Sequence, residues 1–308
     1  MKIYTELTDL PAVLTNTAIA LGTFDGMHIG HKQIVKRVIQ FAKLTCGTSV
    51  MFTFSNHPRS VLYPQRSPKL LMSQAKKAQL LEKLGLDLLV AIPFTANFLK
   101  IPPAEFVNLL VTKFHPAMLV VGPNYCYGYN SQGTSASLVA AGKQQGFAVE
   151  IFDMVTFQGA AVSSTVIRGL ITAGQVKQAA LALGQLYELE GKVVDGDKRG
   201  RVLGFPTANI AVVPNLLLPG DGVYAVNLVV GDQAYHSLAN IGSNPTFQGH
   251  ERRLEVFLLS FSGDLYGQVV HVSFIDKIRD EVAFANSDKL VEQIQQDVVK
   301  SKEIFELC

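Results

Sequence analysis

Two stretches of this 308-residue chain gather side chains suited to phosphate chemistry. The first is Gly22-Thr23-Phe24-Asp25-Gly26-Met27-His28-Ile29-Gly30-His31. Glycines such as Gly22 and Gly30 let a backbone close on a phosphate, Phe24 and Asp25 lie inside the turn, and His28 and His31 offer two imidazoles three residues apart. An apolar run precedes the stretch and a helical pattern follows it. The turn therefore falls at the carboxyl end of a strand and at a helix N-terminus, where unpaired N–H groups attract anions. An ordinary tight turn with a capping Asp25 and two exposed histidines is the plainer alternative. The stretch holds neither a lysine-bearing Walker loop nor a hydrolytic nucleophile.

A second helix start, Ser163-Ser164-Thr165-Val166-Ile167-Arg168, carries hydroxyls that cap a helix and an arginine about one turn in. Capping alone accounts for Ser163, Ser164 and Thr165. Arg168 adds a guanidinium fork suited to a triphosphate. Taken with the first stretch, this predicts attack by a phosphate nucleophile on the α-phosphorus of ATP, the protein mainly positioning groups and neutralising charge.

The other phosphate-binding candidate is Asp195-Gly196-Asp197-Lys198-Arg199-Gly200-Arg201-Val202-Leu203-Gly204-Phe205-Pro206-Thr207-Ala208-Asn209. Gly200 and Gly204 supply backbone donors, and Thr207 and Asn209 supply oxygens for a nucleotide and for Mg²⁺, a hard cation. A cluster of β-turns is the alternative. Further on, Glu255 stands among apolar neighbours, where an unpaired carboxylate is costly; a solvent-facing Glu on an alternating strand would look the same.

These groups need scaffolds, and the pattern changes along the chain. From Thr17 to about Phe157, strand-length apolar runs at 18–21, 49–54, 88–92, 118–121 and 148–152 alternate with helical patterns at about 30–44, 74–84, 103–113 and 136–145. That rhythm predicts a doubly wound α/β domain with ligands beyond the carboxyl ends of its strands. Beyond about 183 short β-branched runs at 189–194, 222–230, 235–241, 254–261 and 268–274, separated by Gly, Asp, Asn and Pro, predict a small antiparallel β-barrel or sandwich. An amphipathic helix over 288–305, capped near Asn286, closes the chain. The expected division is 1–183 and 184–308.

Composition narrows the partners. A net charge of +2 lacks the basic footprint of a nucleic-acid binder, so small anionic ligands are expected rather than nucleic acid. No signal peptide or membrane span is legible, which predicts a cytoplasmic protein without a membrane partner. Cys46, Cys126 and Cys308 have no metal-ligand spacing and read as free thiols. The sequence is compatible with a monomer or a homo-oligomer.

The blocks Gly22 to His31 and Ser163 to Arg168, with Thr53 to Pro58, Ile92 to Thr95 and Val121 to Tyr125, resemble the adenylyltransferase module of prokaryotic FAD synthetases, members of the nucleotidylyltransferase superfamily. The block 191–209, with Gly222 to Tyr224, Asn240 to Phe247, Leu254 to Phe257, Leu265 to Gly267 and Ile278 to Glu281, resembles the riboflavin kinase signature. Together they cover about 15–307 in the order of the bifunctional enzymes.

The resemblance implies ATP-dependent conversion of riboflavin to FMN and of FMN to FAD, with Mg²⁺. It implies that His28, His31, Ser164 and Arg168 hold ATP phosphates, that His57 or Asn124 contributes to the flavin side, and that Thr207 and Asn209 meet Mg²⁺ and phosphate. Glu255 would act as base on the ribityl 5′-hydroxyl. Arg279 either holds flavin or phosphate or pairs with Asp280 or Glu281. The chain departs from the family at Phe257, commonly His, at Ser260, usually Asp, at Gly184-Gln185-Leu186-Tyr187 and at Asn124-Tyr125-Cys126-Tyr127-Gly128.

Overall fold

A computed structural model describes residues 1–11, 14–157, 159–196, 204–246 and 249–307. Contacts divide the chain into two compact units: Met1–Leu70 with Gln74–Ser163, and Leu71–Ser73 with Ser164–Cys308.

The first unit runs β1 (Lys2–Tyr4), β2 (Thr17–Leu21), α1 (Ile29–Leu44), β3 (Thr48–Phe54), α2 (Pro58–Leu62), α3 (Gln74–Leu84), β4 (Leu88–Ile92), α4 (Ala96–Leu99), α5 (Pro103–Phe114), β5 (Pro116–Val121), β6 (Cys126–Tyr127), β7 (Gly133–Thr134), α6 (Ser135–Gln145), β8 (Ala148–Ile151), β9 (Thr156–Phe157) and β10 (Ala160–Ala161). A parallel sheet orders its strands β1-β4-β3-β2-β5-β8. The first strand in that order is a short edge strand with no expectation behind it: three residues carry too little periodicity to register. All five residues of β2 and of β4 are buried, as strands covered by helices on both faces must be. Chain progression reverses at β2, which lies between β3 and β5. That is a topological switch point, where open α/β sheets bind ligands beyond the strand ends. Phe52 anchors the core below, with Phe106 and Phe114 edge-on at 6.1 and 5.8 Å.

The second unit begins with α7 (Ser164–Thr172) and α8 (Val176–Leu183), then β11 (Tyr187–Val194), β12 (Thr207–Val212), β13 (Gly222–Val230), β14 (Gln233–Thr246), β15 (Gly249–Leu258), β16 (Val269–Arg279) and α9 (Ser287–Glu306). The six strands close into an antiparallel barrel, β11-β12-β15-β14-β13-β16. Of the two expected architectures the barrel is the one formed, and closure leaves no open edge. Thr207 and Asn209, read from sequence as the end of a loop, lie on β12, a strand whose half-polar face hid it from a hydrophobicity pattern. Tyr187, Tyr224 and Phe274 are fully buried in this unit. α9 starts where its Asn286 cap accepts the Lys289 N–H at 3.0 Å.

Candidate active sites

The Gly22–His31 loop leaves the carboxyl end of β2 and enters α1. His28, rather than Asp25, is the N-cap of α1, and its Nδ1 accepts the His31 N–H at 3.4 Å. With Nδ1 accepting, the proton of the neutral ring sits on Nε2, free to donate. His28 and His31 stack with ring centroids 3.6 Å apart, and Phe24 meets His31 edge-on at 5.1 Å. Phe24 is buried, and a Cβ on Gly22 would sit 3.1 Å from its ring. The Cβ position of Gly30 lies 3.4 Å from the His28 ring.

The loop takes left-handed backbone conformations at Phe24, φ 48°, and Met27, φ 44°, sterically costly for residues with a Cβ. Burial lowers the His28 pKa to about 4. Burial first, then His28 and Lys77, hold His31 well below the usual imidazole range. Both rings are neutral hydrogen-bonding groups at pH 7. His31 Nδ1 is buried with no hydrogen-bond partner among the described residues, as expected of an atom kept for a ligand.

Of the other residues singled out in this unit, His57 caps α2, its Nδ1 accepting the Arg59 N–H at 3.1 Å, and exposed Asn124 directs Nδ2 at the Met154 sulfur 3.6 Å away. Asp25 is buried. Ser163 ends the unit, Ser164 and Thr165 begin α7, and Arg168 lies in the second turn of that helix, beside the buried Ile167. Sequence reading missed Lys77, whose buried ammonium donates to the Thr23 carbonyl at 3.0 Å. Nothing local in the sequence marks it, because the burial that Lys77 shares with Leu81 on α3 exists only in the packed fold.

In the barrel, Asn209 on β12 lies directly opposite Glu255 on β15, and Thr207 opposite Phe257. Opposed residues share a face, so four side chains distant in sequence point the same way. Thr207 Oγ1 donates to Glu255 Oε2 at 3.4 Å. Gly196 runs so close to the Asn209 amide that any side chain at 196 would collide with it. Thr207, Glu255 and Phe257 line a cavity of about 310 Å³, whose walls also include Phe205, Phe284, Arg279 and Asp297. Phe205 meets Phe257 edge-on at 5.3 Å, giving one wall an aromatic lining.

Arg279 has a partner that sequence reading did not consider. Its guanidinium grips both carboxylate oxygens of buried Asp297 on α9, at 3.0 Å from Nε and 2.8 Å from a terminal nitrogen, while Asp280 pairs with Lys277. Gln293 also donates to Asp297, at 3.0 Å. Gly204 adopts φ 85°; Gly200 lies outside the described residues, as does the rest of 197–203. Cys46 and Cys126 are free and exposed, and Cys308 is outside the described residues.

The chain therefore presents a neutral histidine pair at a sheet switch point and, in the barrel, a hydroxyl and a carboxylate on a cavity wall with the Asn209 amide on the neighbouring strand opposite the carboxylate. A FAD synthetase family model matches residues 10–166 and a riboflavin kinase model residues 183–305. The chain belongs to the bifunctional riboflavin kinase/FMN adenylyltransferase family. It is 35% identical to the Listeria monocytogenes member over 97% of this chain and 94% of that one. To the Haemophilus influenzae member it is 34% identical, over 99% of each. A crystal structure from Streptococcus pneumoniae, described as a macrolide-efflux protein, shares the fold at TM-score 0.89 and 30% identity, covering 98% of both chains. Among the described residues of this chain no helix is long and apolar enough to cross a membrane. The family's two activities are a riboflavin kinase and an FMN adenylyltransferase, and the two family models fall on the two kinds of architecture described above.

Proposed function

We propose that the barrel phosphorylates riboflavin to FMN with ATP and that the histidine-bearing loop serves adenylylation of FMN to FAD with release of pyrophosphate, the activities dividing near 183/184. The observation that carries the reading is the hydrogen bond of Thr207 to Glu255 on the wall of a cavity whose aromatic lining suits a flavin, with Asn209 opposite Glu255 on the neighbouring strand.

In the kinase step, Glu255 takes the proton of the ribityl 5′-hydroxyl as that oxygen attacks the γ-phosphorus, whose bond to the β–γ bridging oxygen breaks to release ADP. The donor set fits Mg²⁺: one hydroxyl and one amide oxygen are hard oxygen ligands, few enough to leave places for phosphate and water. Thr207 and Asn209 would hold the ion, and it would supply charge neutralisation on the ATP phosphates. Gly200 and Gly204 belong to the same phosphate-binding stretch. Arg279, held by Asp297, shapes the flavin cavity from the α9 side.

In adenylyl transfer, an FMN phosphate oxygen attacks the α-phosphorus of ATP. Neutral His28 donates Nε2–H to a phosphate oxygen and His31 brings its unpartnered Nδ1 edge to the same ligand. Gly22 and Gly30 leave the backbone open to the phosphates, while Phe24 and Asp25 hold the loop. Ser163, Ser164, Thr165 and Arg168 are assigned to the same activity by the family block they occupy, and His57 and Asn124 to its flavin side. The substrates are small molecules, with neither nucleic acid nor membrane required.

Incubating the purified protein with riboflavin, ATP and Mg²⁺ and separating flavins over time tests both steps. FMN should appear first and FAD follow. No FMN from folded protein over a range of pH and metal concentration would leave only the adenylyltransferase; no FAD from supplied FMN would leave only the kinase.

A further inference from the structure

Glu255 has an amide on each side. Its strand β15 lies between β12 and β14, and the register sets Asn209 opposite it on one side and Asn240 opposite it on the other. The row continues: Asn240 faces Val223 on β13, and Val223 faces Arg279 on β16. Opposed residues share a face of the sheet, so Asn209, Glu255, Asn240, Val223 and Arg279 form one line across the barrel wall. All of them except Asn209 line the cavity of about 310 Å³.

The order of that line matches the order of groups along riboflavin. With the terminal hydroxyl at Glu255, the isoalloxazine ring lies at the far end of a ribityl chain that spans roughly 5 Å when extended, given C–C bonds of about 1.5 Å. Neighbouring strands lie about 4.8 Å apart. The Thr207 and Asn209 side of the base belongs to phosphate and metal, so the chain leaves Glu255 towards β14. One strand along is the level of its secondary hydroxyls, and there Asn240 stands.

The chemistry of the wall selects the same residue. Thr207 is bonded to Glu255, and Arg279 and Asp297 hold each other. Glu281 packs its carboxylate against Gly242, two residues further along β14, and a carboxylate only accepts. Asn240 is exposed, and its carboxamide carries donors and an acceptor together. Hydroxyls, which both donate and accept, are matched by that combination. We propose that Asn240 is a specificity-determining residue of the kinase reaction: its carboxamide binds the secondary hydroxyls of the ribityl chain and so selects a flavin with a polyol arm over one with a plain hydroxyalkyl arm. The proposal rests on the riboflavin kinase reading of the barrel.

The test compares two substrates in the full chain with ATP and Mg²⁺: riboflavin, and a flavin whose arm is ω-hydroxypentyl, equal in length and terminal hydroxyl but without the secondary hydroxyls. Phosphorylation kcat/KM is measured for wild type, Asn240→Leu and Asn240→Ala. Wild type should prefer riboflavin by about tenfold or more, the scale of a few neutral hydrogen bonds. In Asn240→Leu the riboflavin value should fall about tenfold, mainly through KM as lost binding does, while the hydroxypentyl value changes little and the preference collapses. Both substrates are read on one sample, so any loss of folded protein cancels in the ratio. Asn240→Ala should give the same collapse without the bulk of leucine in the cavity. A preference as large in both variants as in wild type would overturn the proposal, as would a wild type with no preference. Wild-type protein that makes no FMN from riboflavin would instead overturn the reading on which it rests.

Discussion

His28 and His31 are neutral rings because burial penalises their charged forms, and this decides how their loss should read. His31→Ala removes a stacked ring and an unpartnered ligand edge together. FAD formation from supplied FMN should drop by roughly 10² or more, the scale of losing one preorganised donor, while FMN still accumulates from riboflavin. Equal loss of both activities in folded protein would refute the separation. In the barrel, Glu255→Gln keeps shape and loses proton acceptance, so kinase turnover should fall by roughly 10² or more with FAD synthesis from FMN intact. Wild-type turnover would remove Glu255 from the role of base. Lys77 also affects stability. Its folded pKa of about 8 lies below the unfolded value, so the unfolded chain binds more protons between the two, and stability rises as pH climbs from about 8 to about 10.4. Urea midpoints of wild type and Lys77→Met should converge across that window; a constant gap would show that Lys77 does not titrate there.

Among elements, α9 is the piece whose placement the barrel cavity depends on. It contributes Leu290, Ile294 and Asp297 to the cavity wall, and Asp297 is gripped by Arg279 from β16. Removing one member of a buried, bidentate pair strands the other charge. Asp297→Ala should therefore cost about 3–5 kcal/mol of barrel-unit stability and raise KM for riboflavin more than it lowers kcat. A variant with unchanged urea midpoint and unchanged KM would show that the pair neither docks α9 nor shapes the cavity. The departure at Phe257 belongs to the same surface. Phenylalanine adds apolar wall opposite Phe205 and leaves Thr207, Asn209 and Glu255 in place, whereas Ser260 lies exposed beyond the end of β15.

At the scale of the molecule, the contacts that make each unit compact group α7 and α8 with the barrel, although the family model for the kinase begins at 183. Val176, Ala179, Ala182 and Leu183 are the buried residues of α8, which packs on β11 and β16. A chain beginning at Ser164 should be soluble and make FMN from riboflavin. One beginning at Gly184 leaves the surface under those four residues bare, and should unfold at lower temperature than the longer piece. Equal melting temperatures would show that α8 contributes nothing to barrel stability.

Much of this was legible beforehand because the relevant patterns are local. Strand, glycine turn and helix follow one another within about fifteen residues around His28, and a change of period from 3.6 to 2 marks the passage from the α/β region to the barrel. The short edge strand β1 and the half-polar β12 carry too little periodicity, and both escaped. Which charge meets which is a different kind of fact. Sequence proximity offered Arg279 the carboxylates of Asp280 and Glu281; packing of α9 gave it Asp297, eighteen residues away. Lys77 reaches Thr23 across fifty-four residues, and barrel closure sets Asn209 opposite Glu255. Residue types and local periods determined the two folds and the chemistry they carry. Long-range packing alone decided the partners of buried charges, because the cost of an uncompensated charge is settled by whatever the completed fold places beside it.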